Sequence, residues 1–259
     1  MKIVVLMKQV ANKDAVLRVR GDEKWIDDSD VSQQTNESDG YALEEALRTK
    51  EAKGEGEVIA CTVGKQGAKT VIKDALARGA DRAIHVVVDD ENSLSPYQIA
   101  SLIAEAVREE NPDLIMSGLQ SDDASYGQTG VVVAEMLGMP HATIVIEVDR
   151  ESIGDSIRLK RELESGWYQW FEYSLPALVT VQSGISQIRY ASLKGIMAAK
   201  KKEIRDVEPS LPEFDATQTI EKVYLPLKTK ETKILGNGDA KAGAAELVEK
   251  LRNEARVIG

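Results

Sequence analysis

The sequence predicts an α/β chain: a mostly parallel, doubly wound sheet, joined by an antiparallel hairpin and an extended C-terminal arm. Three observations carry this. Short apolar runs at 2–7, 58–63, 83–88, 114–117 and 143–148 lack polar alternation, as strands buried on both faces do. Segments with helical apolar spacing separate those runs, so to about residue 150 strand and helix alternate, which favours parallel pairing. From residue 151 the period changes, and two strand-like stretches, 156–163 and 167–172, flank Glu164, Ser165 and Gly166 as a hairpin would.

Taken in order, the first strand, 2–7, leads into an irregular stretch in which 16–20 and 24–26 can pair across a Gly21-Asp22 turn. Ser38 or Asp39 is expected to cap a helix over 41–52, with Leu43, Ala46 and Leu47 on one face. The second strand is closed by Gly64, and the helix 71–78 ends at Gly79, where a left-handed residue belongs. After the third strand, Pro96 opens a helix over 97–109 with Ile99, Leu102, Ile103 and Val107 apolar. Pro112 precedes the fourth strand. Gly138 and Pro140 stop the next helix, 131–137, ahead of the strand 143–148. Beyond the hairpin, Pro176 leads into a buried-type strand, 177–181, and Ser192 caps a short helix over 193–199. Residues 206–235 hold three of the seven prolines and no helical period, so they read as an arm lying on another surface. A last amphipathic helix is expected over 242–255, with Leu247, Val248 and Leu251 on one face. The domains expected are therefore 1–205 and 206–259.

Composition narrows the function. A net charge of −10 over 259 residues argues against a nucleic-acid partner, which requires a basic footprint. No apolar run approaches the roughly 18 residues of a membrane span, and the N-terminus lacks a cleavage site, so a cytoplasmic protein without membrane insertion is expected. One cysteine, Cys61, and two histidines, His85 and His141, offer no metal spacing. Cys61 lies in a strand-like run and reads as core.

The stretch 118–130 carries the clearest chemical signal. A strand enters it, a helix leaves it, and between them runs Gly-Leu-Gln-Ser-Asp-Asp-Ala-Ser-Tyr-Gly-Gln-Thr-Gly. Ligands of α/β sheets bind at such a place, and the unpaired N–H groups of a helix start favour an anion. Gly127 and Gly130 would let a phosphate approach the backbone, and Gln128 and Thr129 can donate hydrogen bonds. An ordinary loop with a Ser or Asp cap fits the same letters. Neither a dinucleotide fingerprint after Met7 nor a P-loop is present. The aromatic cluster Trp167, Tyr168, Trp170, Phe171 and Tyr173 fits either hairpin packing or a partner interface.

Six segments in order resemble the small (beta) subunit of electron transfer flavoproteins, nearly end to end. They are 5–10; 36–48; Gly79-Ala80-Asp81-Arg82 with the strand after it; Asp122-Asp123 through Gln128-Thr129-Gly130; Arg161-Glu162 through Leu175-Pro176; and Arg189-Tyr190-Ala191-Ser192-Leu193 with 196–200. The resemblance implies a Rossmann-like, adenine-nucleotide-binding fold and a non-enzymatic electron carrier with no catalytic residues. It also implies pairing with an alpha subunit that holds most of the FAD. Electrons would come from acyl-CoA-type dehydrogenases and pass to a membrane quinone oxidoreductase. It further implies a structural AMP in this subunit, held by Leu6, Asn36, Glu37, Ser38, Asp39, Val63, Gly118, Gln120, Asp122, Asp123, Ser125, Gln128, Thr129 and Gly130. The segment 183–202 would dock the dehydrogenases through Arg189, Tyr190, Leu193, Ile196 and Met197, and the region 206–259 would contact the partner subunit. Ile188 and Ser186 stand where the family usually has Pro and Asn, and Lys13 where some relatives place an aromatic residue against the flavin. A bifurcating branch of the family binds a second FAD in place of AMP; the Gln128-Thr129-Gly130 ending favours the AMP type. A nucleotide hydrolase using Asp122 and Asp123 is a third reading, from another class.

Overall fold

The computed structural model describes residues 1–209, 218–226 and 232–258. Parts of the expected arm, 210–217 and 227–231, lie outside the described residues. The chain divides into two units, Met1–Val223 and Tyr224–Gly259.

In the first unit the elements follow as β1 (Lys2–Leu6), β2 (Gln9–Ala11), β3 (Gln33–Thr35), α1 (Glu37–Lys53), β4 (Glu57–Gly64), α2 (Lys69–Arg78) and β5 (Arg82–Val87). Then come α3 (Pro96–Arg108), β6 (Leu114–Gly118), α4 (Thr129–Leu137), β7 (His141–Asp149), β8 (Ser156–Glu162) and β9 (Tyr168–Ser174). β10 (Ala177–Val181), α5 (Leu193–Ala199) and β11 (Ile204–Val207) complete it. The main sheet has the order β11-β5-β4-β1-β6-β10-β7-β8-β9. Pairing is parallel from β11 through β7 and antiparallel at β7–β8 and β8–β9. The doubly wound α/β class and the hairpin expected from the sequence are both present. β1 has β4 on one side and β6 on the other, so the chain reverses direction across the sheet there. That reversal opens a crevice at the carboxyl ends of the strands.

Alternation along β1 divides the core. Ile3 and Val5 face the layer of α1 and α2 with Leu43, Leu47, Ile72 and Leu76. Val4 and Leu6 face the other layer, with Ile103 and Val107 of α3 and Val133 of α4. Ser95 and Gln98 cap α3 reciprocally, and Gly138 ends α4 at φ 67 in the left-handed region. Alternation along β9 likewise splits the aromatic cluster: Phe171 and Tyr173 pack on the core, while Tyr168 and Trp170 are exposed, as is Trp167 just before the strand. Trp170 lies under Arg158 at 4.8 Å and Tyr168 under Lys160 at 4.9 Å.

β11 was not expected. It adds a parallel edge beside β5, and Asp206, read as the start of the arm, lies inside it. Its carboxylate accepts from Lys69 Nζ at 2.7 Å and lies 3.3 Å from Nδ1 of buried His85. The strand crosses the boundary drawn at 205, and the first compact unit runs on to Val223. In the second unit, Asp239 accepts from the N–H groups of Lys241 and Ala242 and starts α6 (Ala240–Asn253). A tight turn, Gly236–Gly238, precedes it.

The start of α1 differs from expectation. The helix begins at Glu37, and neither Ser38 nor Asp39 caps it; both are buried in its first turn. The reason is long-range: the carboxylate of Asp122 accepts the Glu37 N–H at 3.1 Å. Asp39 is thereby free to accept the Lys8 N–H at 2.8 Å and the Gly118 N–H at 2.9 Å, tying the ends of β1 and β6 together. Burial pushes the Asp39 carboxyl up to about 7, against the hydrogen bonds that favour its ionised form. A folded pKa above the usual 3.8 means that the folded chain holds this proton more tightly than the unfolded one. The resulting stabilisation is fully present below about pH 4 and is lost as pH rises through about 7. Asp39→Asn removes the titration, so its stability relative to the parent should climb from pH 5 to pH 8. Paired urea titrations at the two pH values check this; parallel behaviour of parent and variant would refute it.

Candidate functional site

The crevice holds a cavity of about 480 Å³, within the range of small-ligand sites. Of the residues expected at a nucleotide, Leu6, Asn36, Asp39, Val63, Gly118, Gln120, Gln128, Thr129 and Gly130 line it. Glu37, Ser38, Asp122, Asp123 and Ser125 do not line it; four of these five hold the loop in place. Ser38 Oγ donates to Gln120 O at 2.7 Å, and Asn36 Nδ2 donates to the same oxygen at 3.0 Å. The Asp122 N–H donates to Asn36 Oδ1 at 2.9 Å. Asp123 pairs with Lys8 Nζ at 2.7 Å. Ser125, at φ 54, closes a turn onto Ser121 O at 2.9 Å.

The two helix starts nearest the loop are treated differently. α1 is capped by Asp122, as above. α4 has Gln128 at its N-cap with no side-chain hydrogen bond, and Gln128, Thr129 and Gly130 line the cavity. Unpaired N–H groups and the positive end of the helix dipole there suit an anion. Leu6, Val63, Leu94, Ile99 and Ile103 supply an apolar wall for a flat ring. The cavity can therefore take a molecule with an anionic end and an apolar, planar end.

Glycine has a local reason at two positions. A Cβ on Gly118 would collide with Ser38 and Asp39, so the loop can enter only without a side chain. A Cβ on Gly130 would lie 2.8 Å from Ser117 Oγ and 2.9 Å from Thr180 Cγ2. Gly130 was expected to make room for a phosphate; it lines the cavity, and its missing side chain also lets α4 settle on the sheet.

Several lining residues gave no recognisable signal in the sequence. Arg20, Lys24 and Trp25 come from the 19–26 turn region, and Gln218, Thr219 and Ile220 from the arm. Tyr126 of the loop also lines the cavity. Pro96, also lining the cavity, was legible only as a helix start. Asp122 and Asp123 are both engaged within the protein, and no group of three or more His, Cys, Asp or Glu suited to a metal occurs among the described residues. Burial pushes the Cys61 thiol up to about 12, in keeping with its core position.

A second feature lies on α5. Ser192 caps it by accepting the Gly195 N–H at 3.0 Å, as expected. A Cβ on Gly195 would collide with the Ala77 carbonyl, so α5 sits directly on α2. Its outer face exposes Leu193 at 84 %, with Ile196 and Met197, and Tyr190 beside it at 96 %. Arg189 is turned inward, with Nε on Glu44 at 2.8 Å and Nη1 on Glu51 at 2.6 Å. Burial alone would raise the Glu44 carboxyl; hydrogen bonds from Arg189 and Arg48 outweigh it and hold the group below its usual range. Ile188 packs against α1 at Gly40, whose added Cβ would lie 3.3 Å from Ile188 Cδ1.

Residues 24–212 match the family model described as "Electron transfer flavoprotein domain". The chain is 34% identical to the electron transfer flavoprotein subunit beta of Methylophilus methylotrophus over 245 residues, covering 91% of this chain and 93% of that one. It is 36% identical over 262 residues to the mitochondrial subunit beta of Oryza sativa subsp. indica, covering all of both chains. It is 33% identical to the Homo sapiens subunit beta over 262 residues, covering 99% of each. Matched over 91% or more of its length by these relatives and over residues 24–212 by the family model, this chain belongs to the electron transfer flavoprotein family, with the beta subunits.

Proposed function

We propose that this chain is the small subunit of a two-chain, cytoplasmic electron carrier, with AMP bound structurally in the cavity and FAD held mainly by an alpha subunit. The observation that carries the nucleotide reading is the uncapped start of α4 facing a cavity with an apolar wall. Gln128 and Thr129 would hold the phosphate with the helix N–H groups. Leu6 and Val63 would pack on the base, and Asn36 and Asp39 would keep the loop closed around it. When bound by the pair, the flavin supplies the electron-accepting chemistry; this chain's residues bind, position and dock. The membrane enters only through the quinone oxidoreductase: no helix among the described residues is long and apolar enough to cross one.

Denaturing the co-expressed pair and identifying the released ligands by mass spectrometry tests the cofactor reading. AMP and one FAD per pair are expected. Two FAD and no AMP would move the chain to the bifurcating branch, and no nucleotide at all would refute the cavity assignment. Gly130→Val should lower both AMP content and melting temperature, because the side chain must displace α4 from Ser117 and Thr180 and because bound ligand stabilises the fold.

Docking to acyl-CoA-type dehydrogenases is assigned to the outer face of α5. An exposed leucine with Ile196, Met197 and Tyr190 around it is the pattern of an interface anchor. Arg189 fixes this segment from behind, and the second unit, with Leu247 and Val248 exposed on α6, is assigned to the alpha-subunit contact. Leu193→Ala should weaken electron transfer from the dehydrogenase by about 2 kcal/mol, with flavin content and melting temperature unchanged. Transfer at the parent rate, measured by flavin reduction at low dehydrogenase concentration, would refute the anchor.

A further inference from the structure

The cavity has a wall from a part of the chain remote from the 118–130 loop. Residues 218–223 run beside the turn of the short hairpin in which Val19 bridges Ile26. Val223 donates its N–H to the Glu23 carbonyl at 2.7 Å. Lys24 Nζ donates to two carbonyls of the segment, Ile220 at 3.1 Å and Glu221 at 2.8 Å. Lys222 pairs with Glu23 at 2.9 Å.

These contacts contribute little to the core. Gln218, Thr219, Glu221 and Lys222 are exposed, and only Ile220 and Val223 are half-buried. Glu23, whose carbonyl accepts Val223, stands at φ 56; such a conformation costs a non-glycine residue about 1–2 kcal/mol. Strain held at an exposed turn tip points to a role for the turn. The role visible here is placement: Gln218, Thr219 and Ile220 line the cavity beside Trp25. The amide of Gln218 and the hydroxyl of Thr219 add hydrogen-bonding groups that the sugar or base of a nucleotide can use.

We propose that residues 218–223 form the closing wall of the nucleotide site and that Lys24 is the positioning residue that latches them, so that the latch sets how fast nucleotide leaves. This rests on the nucleotide reading above. A segment with few buried contacts opens locally at far lower cost than the sheet beneath it. Its residence over the cavity therefore depends on its hydrogen bonds to the hairpin, of which Lys24 makes two.

The test uses the full chain in complex with its partner subunit, loaded with radiolabelled AMP and chased with excess unlabelled AMP. Lys24→Met keeps the aliphatic stem and removes the donors. It should speed AMP release by about tenfold and leave the melting temperature of the nucleotide-free complex unchanged. Lys24→Arg, which keeps a cationic donor, should restore slow release. Release from Lys24→Met at the parent rate would overturn the proposal, as would faster release matched by a lower nucleotide-free melting temperature or left unrescued by Lys24→Arg. A parent complex that binds no AMP refutes the nucleotide reading, and the wall with it; a parent that binds AMP with release unaltered in Lys24→Met refutes the latch alone.

Discussion

The carboxylate of Asp39 is the tie on which the functional edge of this molecule depends. It is buried, and its two oxygens accept backbone N–H groups from the ends of two neighbouring strands, at Lys8 and at Gly118. Those strands lie where the chain reverses direction across the sheet. Ladder hydrogen bonds stop at their ends, and a buried N–H left unpaired there would cost about 1–3 kcal/mol. One side chain answers two such groups and sets the spacing between the strand ends. The remaining polar groups follow from it. Asp39 cannot also cap its own helix, so Asp122 does, and that reach fixes the far side of the loop. Asn36 and Ser38 then converge on Gln120 O, and Lys8 balances Asp123. Polar networks of this kind rigidify when every member is satisfied. This one spends the carboxylates of Asp39, Asp122 and Asp123 on partners within the protein.

This arrangement also explains what could be read in the sequence and what could not. Strands and helices were legible because their signals are local: apolar runs on β1, β4 and β6, Pro96 at the start of α3, Gly138 at the end of α4. The loop 118–130 was legible as a candidate site because it sits between a strand and a helix, and much of it lines the cavity. The cap of α1 was misread because Ser38 and Asp39 are good caps in isolation, and nothing local says that Asp122 takes the position. β11 was missed for a related reason. Four residues with mixed polarity show no period, and Asp206 belongs in a strand only because Lys69 and His85 meet it there. Trp25 and Ile220 could not be found as cavity residues at all; nearly two hundred positions separate them, and only the folded chain brings both to one wall. The aromatic cluster is intermediate: strand alternation predicts two faces, and Phe171 and Tyr173 take the inner one.

The exposed face of α5 poses a different physical problem from the cavity. If the face is the anchor proposed above, it has to stay in water without collapsing onto the core, and ordering it on association would consume binding energy. Contacts on the inner side hold the segment in place. Gly195 lets the helix lie against the Ala77 carbonyl too closely for any side chain. Lys202 reaches under it to the carbonyls of Leu76 at 2.9 Å and Ala80 at 2.5 Å, answering the C-terminal end of α2. Arg189 grips Glu44 and Glu51 on α1, and Glu44 is itself buried. A buried carboxylate that lost its guanidinium partner would be strongly destabilising, so this grip is costly to release. The backbone of 189–202 is thus fixed from both ends while Tyr190, Leu193 and Met197 remain outside. The inner side is occupied by Gly195 on the Ala77 carbonyl, Lys202 and the Arg189 carboxylate pairs, with Ala199 packed on the core.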